Sequence, residues 1–381
     1  EEKADFIRRE LLTCLSPQGV TTFANHYYGT PSIMKVYNRL YQQGELPVRW
    51  AWWMGTLRGN WKGEMDLQGD LSRFYQDLGD FRGIGNDYIW NAGVANEPWE
   101  TGMACTAAQP LRSARQEGGF MLDIVGGLRP SCSDPIDYEK LQDYRNVRAA
   151  LEAGLRIGYL HAYSDGTYDA LLRIIEQAIA QGKVTLEEVR ALRISTEHNP
   201  IIRTDQVQKL AHYGVRLGFN GYQIQGDIKG GAFLKAYGEQ YLTWMAPMKS
   251  LADQGAKPVF NTDAHLHKVP IEAKEMDYPA QWDGNIWGFI QFFITRLMPS
   301  DGITYNRREA MDRVNMMKSA TIWGAEMVLR EKEIGSLEVG KLADFIVIDK
   351  DYFTIPEDQI HTIKTLLTAV GGNIVFQDAS F

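Results

Sequence analysis

Several things are scarce in this sequence, and each scarcity removes a class of function. Its 381 residues include only three cysteines, Cys14, Cys105 and Cys132. They are odd in number and form no CxxC pair, which argues against a disulfide framework and leaves them as ordinary thiols. Cys105 and Cys132 have no base nearby in sequence, so a thiol nucleophile is not expected. No run of about 18 apolar residues occurs, so no segment reads as a membrane span. Positive charge is in deficit, with 40 Lys and Arg against 48 Asp and Glu for a net charge of -8. No basic stripe is available to neutralise phosphates, which excludes nucleic acid as an expected partner. The opening residues EEKADFIRRELLTCL have neither an initiator Met nor a signal-peptide pattern. What remains is a cytoplasmic chain expected to have no membrane or nucleic-acid partner, and a homo-oligomer is expected. Hydrophobic content of 44% and charged content of 23% are ordinary for a globular chain. The length suits one large domain plus an appendage.

What is present is organised around Gly154 to Pro200. Two short apolar runs, Ile157 to Leu160 and Leu192 to Thr196, lead into His161 and His198. Between them Leu171, Leu172, Ile174, Ile175, Ala178 and Ile179 recur at helical spacing. This predicts a β-α-β unit with a histidine near the carboxyl end of each strand, the end at which parallel barrels build their chemistry. The pattern returns at KPVFNTDAHLHK, where a strand ends on Asp263. Two imidazoles and one carboxylate on three strand ends can converge on one metal ion.

The remaining chain reads as a frame. Phe6, Ile7, Leu11, Leu12 and Leu15 mark an opening amphipathic helix. Strands are expected at GVTTFANH, ending near His26, at LPVRWAWWMGT, and at NDYIWNAGVANEP, ending near Ala95 to Glu97. VRLGFNGY supplies a further strand. Helices are expected over Pro31 to Gln43, Asp143 to Ala153, Asp205 to His212, Gly288 to Arg296 and Asn306 to Gly324, the last with Asn306 as its N-cap. Trp99 to Tyr138 is Gly- and Pro-rich, in the manner of a long active-site loop. The count is seven strands alternating with helices from Val20 to Thr262, which implies a parallel sheet with helices outside. Eight would close a (β/α)8 TIM barrel, so the first strand is expected to lie outside this chain. The last fifty or so residues are a small β-appendage, with a strand at Phe345 to Ile348 and a hairpin turning at Gly371-Gly372. Its strands are too few to bury both faces. A preceding N-terminal segment, or a companion chain, is expected to complete both the barrel and the appendage.

The tail GSLEVGKLADFIVID, the HAYSD segment, the EH pair at Glu197-His198 and the TD pair at Thr262-Asp263 together resemble the metal-dependent amidohydrolase superfamily, in its amidohydrolase-3 or YtcJ-like branch. The resemblance runs from GVTTFANH to GGNIVFQD. It implies a TIM barrel over residues 1–328, holding strands two to eight, and the C-terminal part of a small β-sandwich over 329–381. It implies one or two zinc-like divalent ions, with His161 as the strand-five ligand, His198 as the strand-six ligand and Asp263 as the strand-eight carboxylate. The family's HxH pair on the first strand has no counterpart here. Many relatives carry a bridging carbamylated lysine on strand four, but no lysine occurs from Gly63 to Glu139. Glu97, near that strand's end, can substitute, which favours a mononuclear or carboxylate-bridged site.

Such a site supports hydrolysis of a non-peptide C–N bond, an amide or a relative of one, with Asp263 as general base. Lactone opening or decarboxylation would use the same metal. The competing reading is a degenerate, non-catalytic barrel acting as a binding or structural subunit; retention of His161, His198 and Asp263 opposes it. Several other residues have plainer roles. Asp165 reads as an N-cap, or as a support for His161. His265-Leu266-His267 reads as substrate-loop material beyond Asp263. His26 could line the pocket, the tryptophans Trp50, Trp52 and Trp53 belong to the core, and His212 and His361 belong to the surface.

Overall fold

Apolar runs that alternate with amphipathic helices have one economical arrangement, parallel strands covered by helices, and the computed structural model of the chain follows it. It describes residues 2–27, 31–55, 71–96, 99, 137–162, 164–220, 239–262, 285–298 and 301–381. These fall into two units. Unit 1 comprises residues 1–53, 82–92 and 260–381; unit 2 comprises 54–81 and 93–259. No helix among the described residues is long and apolar enough to cross a membrane.

Unit 1 begins with α1 (Glu2–Glu10). The helix then widens into a π-turn over Leu11–Leu15 and a short 3₁₀ turn over Ser16–Gln18, and Gly19 closes it at φ 80°. Ala4, Ile7 and Leu11 share the packed face at ordinary helical spacing. Ala4, Leu11 and Cys14 are buried, whereas Phe6, expected on the apolar stripe, is 57% exposed. Next come β1 (Thr22–Tyr27), α2 (Pro31–Gln42), β2 (Arg49–Gly55) and the first half of β3 (Ile89–Ala95). Leu40, Leu46, Val48, Trp50 and Ile89 form one core with Ala4, Leu11 and Tyr37. Burying each large side chain contributes roughly 1.5–3 kcal/mol. Trp50 and Trp53 are core residues, as expected.

Among the described residues, the C-terminal part of unit 1 holds three α-helices and a small sheet. The helices are α10 (Ile286–Thr295), α11 (Arg313–Ala320) and α12 (Ile322–Met327). Asn306 does not cap α11. It sits left-handed at φ 49° before a single 3₁₀ turn, and the cap is Asp312, whose side chain accepts from the Asn315 N–H at 2.9 Å. The sheet is antiparallel, in the order β11 (Asn373–Gln377), β10 (Thr365–Val370), β9 (Phe345–Ile348). Its hairpin turns at Gly371 and Gly372, both at positive φ, as the dipeptide demands. The opening turn docks on this sheet, where Thr368 Oγ1 donates to the Ser16 carbonyl at 2.7 Å. His361 is half-buried rather than on the surface. Its N–H donates to Gln291 Oε1 at 2.9 Å, and its carbonyl accepts from Asn285 Nδ2 at 2.6 Å.

Unit 2 carries the parallel β-α-β succession. Its helices are α3 (Leu71–Leu78), α4 (Gln142–Glu152), α5 (Asp165–Ala180), α6 (Leu186–Leu192), α7 (Thr204–His212), α8 (Gln240–Trp244) and α9 (Met248–Asp253). The second half of β3 pairs in parallel with β4 (Ile157–Gly158), Val94 opposite Ile157. A four-stranded sheet runs β5 (Leu160–Ala162), β6 (Ser195–His198), β7 (Arg216–Phe219), β8 (Val259–Phe260), with β5–β6 and β6–β7 parallel. The run expected as one strand up to His161 is thus divided at Tyr159, which takes φ 55° and donates its N–H to Ser195 Oγ. Leu192 belongs to α6 rather than to the following strand, because Arg193 adopts the left-handed conformation that ends the helix. Leu171, Leu172, Ile174, Ile175 and Ala178 of α5 are buried, so the helical spacing read from the sequence is the packing face.

Candidate active site

Parallel register brings the histidine strands together. His161 on β5 stands opposite Glu197, and Ala162 stands opposite His198. Strand β6 then ends on two consecutive left-handed residues, His198 at φ 75° and Asn199 at φ 52°. Residues with side chains hold this conformation only where their surroundings enforce it. Here Asn199 enforces it. Its N–H donates to the Ala162 and Glu197 carbonyls, both at 3.1 Å. Its Oδ1 accepts from Tyr168 Oη at 2.6 Å and Thr196 Oγ1 at 2.7 Å, and its Nδ2 donates to the Gly218 carbonyl at 2.8 Å and the Thr196 carbonyl at 3.2 Å. One fully buried amide therefore ties together the ends of β5, β6 and β7 and the first turn of α5.

The corner aims His198 at His161. Their Nε2 atoms are 2.5 Å apart, and the rings meet edge-on, with centroids 4.1 Å apart and planes at 86°. Two imidazole lone pairs at this separation repel, so without a cation one nitrogen must carry a proton toward the other. A tetrahedral zinc ion bound at ~2.0–2.1 Å would set the two nitrogens ~3.3 Å apart, so the pair needs to open by less than about 1 Å to chelate one. The far nitrogen of His198, Nδ1, faces Asn220 Nδ2 at 2.9 Å, just beyond the end of β7. His198 is 5% exposed and Asn220 1%. As a donor set this arrangement fits a borderline-soft divalent cation. Among the described residues no group of three or more His, Cys, Asp or Glu side chains is placed to hold a metal. Asp263 and Glu97, expected to complete the site, lie outside the described residues, as do His265 and His267. His26 is on β1, and His212 is exposed at the end of α7.

Asp165 does not cap α5. Ser164 occupies the N-cap position, and the fully buried Asp165 accepts from Arg203 Nη1 at 2.6 Å. Arg203 also binds Asp169 at 2.8 Å and Asp205 at 3.0 Å. Burial pulls the guanidinium's pKa down, but hydrogen bonds to Asp169, Asp205 and Asp165 outweigh it and hold the group above its ordinary value. Gln206 Nε2 donates to the Asp165 carbonyl and to Asp169 Oδ1. The hub fastens the start of α5 to the start of α7, and so holds the β5 and β6 corners rigid.

A second buried polar group lies where β3 ends. Asn96 Nδ2 reaches the Asp143 carbonyl at 3.4 Å, while Asn96 Oδ1, both amide ends of Asn146, the Tyr75 hydroxyl and Trp99 Nε1 have no partner. Burial first, and the nearby Asp143 charge second, push the Tyr75 hydroxyl well above its usual pKa. Sequence reasoning missed Asn199, Asn220, Arg203 and this group. The Asn199-Pro200 and Asn220-Gly221 dipeptides are signals for chain reversal, but not for which amide points inward.

Comparison with known proteins follows the same lines. The profile of the amidohydrolase family matches residues 1–376. YtcJ of Bacillus subtilis (strain 168), whose name assigns it as an amidohydrolase, is 23% identical over 235 residues, 61% of this chain and 40% of that protein. Over a 42-residue segment, 11% of this chain and 10% of its relative, the chain is 52% identical to a 5-methylthioadenosine/S-adenosylhomocysteine deaminase of Thermoanaerobacter pseudethanolicus. Among solved structures, a metal-dependent hydrolase from Pyrococcus horikoshii superposes with a TM-score of 0.57 at 19% identity, over 87% of this chain and 57% of its own. Atrazine chlorohydrolase TrzN from Arthrobacter aurescens, in complex with zinc, gives 0.54 at 18% identity, over 98% and 73%. The chain thus spans well under two thirds of the YtcJ and Pyrococcus proteins it matches.

Proposed function

We propose that this chain, which belongs to the amidohydrolase family, is a metal-dependent hydrolase of a non-peptide C–N bond in a small-molecule substrate. The observation that carries the reading is the pair of Nε2 atoms of His161 and His198, turned toward each other at 2.5 Å by a left-handed strand end. In this reading the parallel strands belong to a (β/α)8 barrel over 1–328, with 329–381 contributing to a small β-sandwich. His161, His198 and Asp263 hold a zinc-like ion, and Glu97 is available should a second ion bind.

When bound, such a cation polarises a carbonyl oxygen and lowers the pKa of water toward neutrality. The chain's own residues do the rest. The two imidazoles act as neutral ligands fixed by the β5 and β6 corners. Asp263, as general base, takes the proton from the attacking water and returns it to the leaving nitrogen. Arg203 and Asn199 keep the ligand-bearing strand ends from relaxing, which is how a scaffold maintains a reactive geometry.

The test has two parts. Elemental analysis of the purified protein should find one or two equivalents of a zinc-like ion, and a panel of amides and carbamates should include a substrate for the loaded protein. Asp263→Asn should largely keep the fold but lose turnover by at least about a thousandfold, in the range seen for loss of a general base. A metal-free protein that gains neither metal nor activity on loading would point instead to a non-catalytic barrel. Sizing by light scattering tests the homo-oligomer proposed alongside it.

A further inference from the structure

Asn220 makes a single side-chain hydrogen bond, and that bond goes to the nitrogen of His198 facing away from His161. Its other end, Oδ1, is buried without a partner. Among the described residues nothing else fixes which way round the amide lies, and a half-turn about its terminal bond exchanges Oδ1 and Nδ2 with almost no change of shape. The choice is chemically decisive. With Nδ2 toward the ring, His198 Nδ1 accepts, so a neutral imidazole carries its proton on Nε2 and can only donate that proton toward His161. With Oδ1 toward the ring, Nδ1–H donates and the Nε2 lone pair is free.

We infer that Asn220 is a positioning residue for His198: its Oδ1 accepts from Nδ1–H, and so fixes the tautomer in which Nε2 is presented as a ligand. The inference rests on the metal-binding reading above and extends it to a residue outside the ligand set. Ligating histidines commonly donate their second N–H to a carbonyl or carboxylate oxygen, and losing that acceptor typically weakens metal binding about 10- to 100-fold. The position suits the task. Asn220 follows directly on β7, whose residue Gly218 is held by the Asn199 amide, so the same network that orients the His198 ring also places its partner. The carboxamide is buried, so no water competes for Nδ1.

Three variants and one spectroscopic readout test this. Asn220→Asp keeps an acceptor and removes the donor; Asn220→Leu has similar volume and neither; Asn220→Gln keeps the amide and shifts it. Zinc affinity, measured by competition with a chromophoric chelator, should be retained in Asn220→Asp and fall 10- to 100-fold in Asn220→Leu, with unchanged circular dichroism. Ring-15N-labelled histidine NMR on the metal-free protein should place the His198 proton on Nδ1 in the wild type and in Asn220→Asp, and redistribute it toward Nε2 in Asn220→Leu. If Asn220→Leu does not fold, the wild-type tautomer and the Asn220→Asp and Asn220→Gln affinities decide. A wild-type His198 protonated on Nε2, or equal zinc affinity in Asn220→Asp and Asn220→Leu, overturns the inference. Wild-type protein that binds no zinc overturns the metal reading instead, and the tautomer measurement still stands by itself.

Discussion

Each unit buries a charged or polar side chain among strands, and the two cases differ in completeness. In unit 1, Arg49 on β2 is 1% exposed and fully answered. Its Nε and Nη2 grip the Asp344 carboxylate at 2.7 and 2.8 Å, its Nη1 donates to the Asp87 carbonyl at 2.7 Å, and the Tyr88 ring lies under the guanidinium at 4.5 Å. The Gly371 N–H completes the carboxylate at 2.7 Å. In unit 2, His161, His198 and Asn220 form a chain with a crowded nitrogen pair at one end and an unanswered amide oxygen at the other. Buried polar groups are normally satisfied, so the first arrangement reads as architecture. The second is held in place by Asn199, yet leaves Asn220 Oδ1 buried without a partner, and so is the less complete of the two.

Substitutions can break or sharpen that contrast. The largest effect is expected from His198→Ala or His161→Ala. Each should remove bound metal and at least about a thousandfold of hydrolytic rate, about 4 kcal/mol of transition-state stabilisation, and elemental analysis with kinetics checks both. Stability should fall less than in Arg49→Met, since no counter-charge is left buried; a drop in Tm comparable to that of Arg49→Met would erase the distinction. Arg49→Met, in turn, should leave metal content alone and cost about 3–5 kcal/mol in chemical denaturation, since Asp344 is left buried without its counter-charge. Adding Asp344→Leu should recover most of that loss, as expected for a pair whose desolvation roughly cancels its attraction.

Asn199→Ala should cost at least about 2 kcal/mol by removing the amide that accepts from the Tyr168 and Thr196 hydroxyls and donates to the Gly218 carbonyl. Asn199→Gly should lose the same bonds but regain about 1 kcal/mol of backbone strain, so comparing the two separates the pin from the conformation it enforces. The smallest effect concerns Tyr37, which packs on Trp50 with ring centroids 4.2 Å apart. Burial pushes its hydroxyl up from 10.0 to about 12. Because the folded value is raised, the stabilisation is complete below about pH 10 and is lost as pH climbs toward 12. Tyr37→Phe should flatten that part of the alkaline stability profile, leaving the metal site untouched.

Much of this was legible in the sequence, for physical reasons. The helical recurrence of Leu171 to Ile179 is α5's packing face, and the Gly371-Gly372 pair turns the hairpin because both residues need positive φ. The histidines ending two parallel strands were visible because period and strand length locate a strand's end. What was not legible depends on contacts between distant residues. Asp165 has the local signature of a cap, but a partner 38 residues away claims it. Arg49 and Asp344 are 295 residues apart, and nothing local marks either as half of a buried pair. His361 looked superficial until Asn285 and Gln291 bound it. Phe6 is apolar but lies off the face that Ala4, Ile7 and Leu11 share at helical spacing, so its composition suggested burial that its position does not give.

The central claim is that His161 and His198 share one cation. Anomalous diffraction from zinc-soaked crystals at the zinc absorption edge tests it directly. A single strong peak is expected ~2.0–2.1 Å from both Nε2 atoms, with the nitrogens drawn apart to about 3.3 Å. No peak there, with the two imidazoles still hydrogen-bonded to each other in saturating zinc, would contradict it.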